Sequence, residues 1–258
     1  MKAPRSRLLA RLDAALARCR NPLDAACLRV ERAGFLLRLG HVDQAQADLN
    51  VVHAQFDHRP TAAISAWLCM AEGWQLHFSS LSGAARDRMK RAQALSAAAG
   101  LTPLHALSSA WLAHMDYSVD DIDGMVRNVA LALQLAAPDH HGARSRACLV
   151  VALAYDFAER LDRAQPWYAR ARDHATADGD ETTLSALNYN ISGQRVHHAM
   201  QAAVFGGDAH GQARQAQAAS ECTGNFDQWI GAVSLAALVP MQRASMASVQ
   251  GQYGQALA

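Results

Sequence analysis

A pattern of small residues at helical spacing recurs along the chain and constrains its fold more than any other feature. In the clearest copy, Ala152 and Ala164 lie 12 positions apart, and a large side chain follows each of them, at Tyr155 and Tyr168. Small residues let two antiparallel helices approach where they cross, while larger neighbours fill the space beside the crossing. A second helix that starts near Leu161 completes this arrangement, so the pattern predicts a helix hairpin.

The same pattern returns three more times, at spacings near 40 residues. Its small residues and turns are Ala33, Gly40 and Ala45; Ala71 and Ala85; and, more weakly, Ala110 and Ala113. Hydrophobic residues make up 51% of the chain but aromatic residues only 6%, and Ala and Leu dominate, which suits closely packed helices. Alternating runs of Val, Ile, Thr and Tyr, which are typical of strands, are absent from the sequence. We therefore predict an all-α fold.

These hairpin patterns resemble the tetratricopeptide-repeat (TPR)-like superfamily, in the longer-helix variety found in bacterial regulators, although the usual Trp-x-x-Leu-Gly opening is missing. The resemblance implies a right-handed α-solenoid of antiparallel helix hairpins, with about 12 to 13 helices. It predicts one domain over residues 1–258, which comprises an N-terminal capping helix (1–22), regular repeats (23–178) and longer-helix repeats (179–258) with an incomplete last repeat.

The region after Gly179 allows two interpretations. Residues 180–205 form either one long helix or a helix pair broken at Gly193. We favour the long helix, because residues 225–249 reproduce its layout about 45 residues later. Since the last repeat looks incomplete, we expect the chain to be the N-terminal region of a longer bacterial protein.

Charge and cysteine usage narrow the functional class. The chain has 24 basic and 23 acidic residues, whereas a nucleic-acid-binding domain that neutralises phosphates needs a basic excess. The five cysteines are odd in number and form no CxxC pair, which favours reduced thiols. No apolar run approaches the roughly 20 residues of a membrane-spanning helix. We therefore predict a cytoplasmic protein that binds neither nucleic acid nor membranes.

The sequence contains only weak matches to motifs for metal binding, phosphate binding or catalysis. No two histidines have the i, i+4 spacing that places two ligands on one metal. Residues 206–211 have the glycine spacing of a phosphate-binding loop, but Gln212 stands where that motif needs lysine. Asp178 and Asp180 lie at a helix start, where acidic residues favour the positive end of the helix dipole. We expect no enzyme activity, no catalytic or metal-binding residues and no cofactor.

In a stack of helix hairpins, the first helix of each hairpin lines the concave face. Carried onto this sequence, that rule predicts an apolar groove whose polar and aromatic partner-binding residues are Arg38, Glu72, Gln75, Trp111, His114, Arg146, Asp156 and Asn188. The expected binding partner is an apolar or helical segment of a protein or peptide, with Trp111 as the anchor residue. The leading hypothesis is a non-catalytic interaction scaffold. The alternative is a sensor of a small molecule or peptide that controls a C-terminal signalling or DNA-binding output domain.

Overall fold

A computed structural model describes residues 5–80, 82–234 and 238–256, and these residues form thirteen α-helices and no strand. The helices are α1 (Arg7–Arg18), α2 (Pro22–Leu39), α3 (Val42–Phe56), α4 (Ala62–Ser80), α5 (Ala84–Ala98), α6 (Thr102–Tyr117), α7 (Ile122–Leu135), α8 (His141–Phe157), α9 (Leu161–Asp178), α10 (Glu181–Phe205), α11 (Ala209–Ile230), α12 (Leu238–Val249) and α13 (Tyr253–Ala256). Residues 1–4 of the predicted capping helix, residues 235–237 of the predicted second long helix and the last two residues of the predicted domain lie outside the described residues. The predicted all-helical class is confirmed.

Neighbouring helices pack as pairs, and the small residues of the predicted pattern lie at their contacts. The pairs that pack most extensively are α8 with α9, α6 with α7, and α4 with α5. The pattern residues are buried to 2% exposure or less: Ala33, Ala45, Ala71, Ala85, Ala110, Ala113, Ala152 and Ala164. The pairing of helices is therefore confirmed, while the right-handed solenoid stays a prediction.

The chain divides into two compact units, which are described separately. The N-terminal unit comprises residues 6–183, and the C-terminal unit comprises Arg5 together with the chain from Leu184 onward. In the N-terminal unit, α2, α4, α6 and α8 are the first helices of their hairpins. Glycines end α2 and α9 in the left-handed conformation, with φ of 87° at Gly40 and 67° at Gly179.

Helix α10 runs without a break from Glu181 to Phe205, which confirms the preference for one long helix through Gly193. The second predicted long helix, over residues 225–249, is wrong. Helix α11 ends at Ile230, where Gly231 adopts φ of 77° and caps the helix in the left-handed conformation. Pro240 accordingly lies in the first turn of α12, where a missing N–H costs little.

The C-terminal unit contains buried polar contacts between its helices. The side-chain oxygen of Gln242 accepts hydrogen bonds from Ser192 at 2.9 Å and Ser220 at 2.8 Å. Residues 206–208 join α10 to α11, and the Asp208 side chain caps α11 by accepting a hydrogen bond from the Gly211 amide at 2.8 Å. The glycines of residues 206–211 therefore form a helix start in the described structure. No described helix combines the length and the apolar character that are needed to cross a membrane.

Candidate functional site

The N-terminal unit contains a cavity of about 50 Å³ that is lined by residues from all four first helices. Arg38 of α2, Trp111 of α6 and Arg146 of α8 contribute to its wall, and α1 contributes Leu8 and Leu12. The start of α10 completes the lining. Helices that are far apart in sequence therefore line one pocket.

Two tryptophans form the aromatic part of this wall. Trp74 is 4% exposed and Trp111 is 2% exposed, and their rings meet edge to face with centroids 5.5 Å apart. A Cβ atom placed on Gly34 would lie 2.0 Å from the Trp74 ring, so only glycine allows α2 to approach this indole so closely. The two indoles are thus fixed by packing on both sides.

Two arginines converge on Trp111. The guanidinium carbon of Arg146 lies 3.9 Å from the centroid of the indole, and that of Arg38 lies 5.5 Å from it. Both distances are within the range of cation–π attraction, which strengthens when the groups are removed from water. The electron-rich face of Trp111 therefore offsets part of the repulsion between the two cations.

Asp180 neutralises Arg38. Arg38 Nη2 donates to the two carboxylate oxygens at 2.8 and 2.7 Å, and the Thr182 hydroxyl and the Thr183 amide and hydroxyl donate to the same carboxylate. Burial opposes ionisation, but the charge of Arg38 and these hydrogen bonds hold the pKa of Asp180 at about 2. Asp180 is therefore an ionised group whose acceptor positions are filled.

Arg146 has no comparable partner. It is 6% exposed, its Nη2 reaches the Thr183 hydroxyl at 3.4 Å, and its buried Nε–H donates to no acceptor. Burial and the nearby Arg38 charge lower the pKa of Arg146 to about 9, and Asp180 opposes this shift only in part. The cavity wall thus contains a buried cation without a carboxylate of its own.

Glu31 and Asp178 line the same cavity. Burial and the charge of Asp178 raise the pKa of Glu31 to about 7, although Arg11 opposes the shift. Asp178 itself accepts a hydrogen bond from Arg11 Nη2 at 2.5 Å. Near neutral pH, Glu31 is therefore close to the midpoint of its titration while Asp178 is paired.

Helix α1 covers one side of the cavity. Its residues Leu8 and Leu12 line the space, and its start is tied to the beginning of α10. The Ser6 hydroxyl donates to Glu181 at 2.6 Å, Arg7 Nε donates to the same carboxylate at 2.9 Å, and the Leu8 amide donates to the Gly179 carbonyl at 3.1 Å. A larger molecule placed on this side of the cavity would have to displace α1.

Of the predicted partner-binding residues, Arg38, Trp111 and Arg146 meet at the cavity. His114 lies next to Trp111, with ring centroids 5.8 Å apart. Its Nδ1 is buried without a partner, and burial and the charge of Arg146 lower the pKa of His114 well below its ordinary value, so the ring is neutral at physiological pH. These four residues form one cluster around Trp111.

The other four predicted residues lie elsewhere. Glu72 pairs with Arg88 of α5 at 3.1 Å, Gln75 bonds to Gln46 of α3 at 3.3 Å, and Asp156 accepts from the Tyr168 hydroxyl at 2.9 Å. These contacts join them to second helices of the hairpins. Asn188 belongs to the C-terminal unit.

Sequence reasoning missed Glu31, Trp74, Asp180 and Thr183. Asp180 was expected to cap a helix, and it does accept a hydrogen bond from the Thr183 amide at 3.0 Å. Its pairing with Arg38, 142 positions away, has no local signal. The cavity wall is consequently more charged than the predicted apolar groove.

Compared with known proteins, the chain matches no protein-family model and no curated protein. Its relation to the tetratricopeptide-like superfamily therefore stays a prediction. Among the described residues, no group of three or more His, Cys, Asp or Glu side chains is placed to hold a metal ion.

Proposed function

We propose that the N-terminal unit is a non-catalytic, ligand-sensing module that encloses a small molecule in the cavity beside Trp111. One observation carries the proposal: Arg38, Trp111 and Arg146, from three different first helices, line a single pocket. Internal cavities with aromatic walls and a few convergent polar groups are the usual form of small-molecule sites. A ligand there would contact helices that are distant in sequence, so its binding would be coupled to how they pack.

The burial of Trp111 favours a small molecule over a docked helix. With 2% of its surface exposed, Trp111 is not available as an anchor for a protein surface, and α1 already covers this side of the cavity. A space of about 50 Å³ holds roughly four water-sized groups.

The chemistry of the wall favours binding over catalysis. Asp180 is a weak base, because its pKa is about 2, and the Thr183 hydroxyl already donates to it at 2.8 Å. Glu31, whose pKa is about 7, is suited to proton transfer, but no nucleophile forms a described hydrogen bond with it. The paired and stacked charges are arranged to hold a ligand in one orientation.

A cavity-filling substitution tests this function. Gly142 lines the cavity, and a Cβ atom there would be in ordinary contact with Asp178 and Leu107. We expect Gly142→Leu to abolish the binding of small compounds that ligand-observed NMR detects with the unaltered protein. Gly83→Leu is the matched control, since a Cβ atom at Gly83 meets nothing within 4 Å. Equal binding to both variants, or no binding of neutral or charged compounds to the unaltered protein, would contradict the proposal.

The interaction scaffold remains the second candidate, and a different surface favours it. Ile122 and Val126 lie one turn apart on α7 and are 51% and 55% exposed, and Phe157 at the end of α8 is 83% exposed. Exposed apolar side chains at such spacing are typical of helix faces that contact a partner. A photo-crosslinking residue at Val126 would test this function, and failure to capture any protein in cells would contradict it.

A further inference from the structure

The ligand class of the cavity follows from the buried guanidinium of Arg146, and this step rests on the function proposed above. A guanidinium has five N–H donors and no acceptor, so each buried N–H needs an acceptor from elsewhere. Arg146 is 6% exposed, and its Nε–H has no partner. A buried donor without an acceptor is rare because it costs free energy comparable to a lost hydrogen bond. The missing acceptor is therefore expected to come from a bound group.

The local charges define the charge of that group. Arg38 and Arg146 contribute two positive charges, and Asp180 cancels one of them through its 2.7 Å contact with Arg38. Asp178 is occupied by Arg11 at 2.5 Å. When Glu31 is protonated, one positive charge is left, so a ligand with one negative charge balances the site. A dianion such as phosphate would add a second negative charge close to Asp180.

A second buried donor points to an acceptor-only group. Trp74 lines the cavity, and its indole Nε1–H is buried without a hydrogen-bond partner. A carboxylate has two oxygens and no hydrogen to donate, so it suits a wall that offers N–H groups. Its two oxygens also match the planar fork of N–H groups on one edge of a guanidinium.

The rest of the wall limits the size and polarity of the ligand. Leu8, Leu12, Phe35 and Leu107 line the cavity with apolar surface. The volume of about 50 Å³ leaves room for only a few non-hydrogen atoms. A short hydrocarbon chain fits this surface, whereas a longer peptide would meet α1.

We propose that the cavity binds a free, short aliphatic monocarboxylic acid, whose carboxylate accepts hydrogen bonds from the Arg146 guanidinium and whose hydrocarbon part packs against the leucines of α1 and α6. The carboxylate supplies an acceptor that the protein lacks, and with Glu31 protonated the net charge of the wall becomes zero.

Propionate is the probe, and propionamide, which has the same shape without the charge, is its neutral control. Binding to the full chain is measured by ligand-observed NMR and by tryptophan fluorescence at constant ionic strength. The five non-hydrogen atoms of propionate limit its affinity to roughly the micromolar to millimolar range. We expect propionate to bind at least about tenfold more tightly than propionamide, because a hydrogen bond between charged groups raises the binding constant by about that factor.

Arg146→Met removes the donor but keeps an unbranched side chain over Trp111, and it should weaken propionate binding roughly 10-fold to 100-fold. Arg170→Met is the matched control, because Arg170 also lies over a tryptophan, with its guanidinium carbon 4.8 Å from the Trp167 ring, but on the exposed surface of α9. That variant should bind propionate like the unaltered protein. Circular dichroism and a cooperative melting transition establish that both variants are folded.

Three results would overturn the inference. The first is unchanged propionate binding in Arg146→Met, and the second is tighter binding of phosphate than of propionate. The third is equal or tighter binding of a blocked hexapeptide with a free terminal carboxylate, which would make a peptide end the source of the carboxylate. Neutral compounds that bind in the cavity while carboxylates do not would leave the sensing function intact and remove only the ligand class.

Discussion

The guanidinium carbon of Arg146 lies 3.9 Å from the centre of the Trp111 ring, although no carboxylate of the described structure pairs with this arginine. Arg38, which lies over the same indole, does have such a carboxylate, because Asp180 binds it at 2.7 Å. The two arginines approach the same indole but differ in their partners. We therefore expect replacement of the two arginines to have different effects on the free energy of unfolding.

Replacement of Arg146 should not destabilise the empty protein. Arg146→Met removes a buried charge that burial penalises, as the lowering of its pKa to about 9 indicates. The lost cation–π attraction to Trp111, which is about 2 kcal/mol or more for groups removed from water, offsets part of the gain. We expect the free energy of unfolding in urea to be unchanged or raised by up to about 4 kcal/mol. A loss of more than about 1 kcal/mol would show that Arg146 is a structural residue.

Replacement of Arg38 should lower the free energy of unfolding. Arg38→Met leaves Asp180 ionised and buried without its cation, and breaking a buried ion pair from one side costs roughly 3–5 kcal/mol. The same urea titrations measure this loss, with Arg146→Met as the comparison. Equal effects of the two substitutions would contradict the assignment of Asp180 to Arg38.

A methyl group at Gly34 should be poorly tolerated. Alanine usually favours a helix over glycine, but its Cβ atom would lie 2.0 Å from the Trp74 ring, which is held rigidly by Trp111. We expect Gly34→Ala to lower the free energy of unfolding by about 1–3 kcal/mol, as overpacked cores do. Gly83→Ala adds the same group in open space and should change it by less than about 0.5 kcal/mol. Thermal melts of both variants check the prediction.

The carboxyl of Glu31 should make stability depend on pH. Its pKa is raised from 4.5 to about 7 in the folded protein, so its protonated form stabilises the fold below pH 4.5 and this contribution is lost as the pH rises through 7. Glu31→Gln resembles the protonated form at every pH. We expect it to match the unaltered protein at pH 4 and to be more stable by roughly 1–3 kcal/mol at pH 8.

Urea titrations at the two pH values measure this difference. The matched control is Glu221→Gln, on the exposed surface of α11, which should leave stability at both values unchanged. A Glu31→Gln variant with the same advantage at pH 4 and pH 8 would show that the carboxyl does not titrate between them.

The Glu181 carboxylate should hold α1 in place over the cavity. It accepts hydrogen bonds from Ser6 Oγ and from the Arg7 amide and Nε. We expect Glu181→Ala to increase amide hydrogen exchange in α1 by roughly tenfold or more, since a buried charge-assisted contact is lost. Exchange in α5, which does not contact Glu181, is the internal control. Unchanged exchange in α1 would mean that Leu8 and Leu12 alone keep the helix on the cavity.

Most of the helices and their pairing could be predicted from the sequence alone. Residues such as Ala152 and Ala164 report a close helix crossing because their spacing follows the helical repeat, and Gly40 ends a helix through a conformation that depends on one residue. The second predicted long helix failed at Gly231, because glycine is compatible with both a helix interior and a left-handed cap.

The pairing of the charged side chains could not be predicted in this way, because it depends on the tertiary structure. Within the sequence, Arg38 reads as a concave-face residue and Asp180 as a helix cap, and their contact across 142 positions depends on how the whole unit closes. The place of α1 over the cavity, the raised pKa of Glu31 and the unpaired Nε of Arg146 arise from the same closure. Helix periodicity is a local property of the chain, whereas the environment of a buried charge depends on every element packed around it.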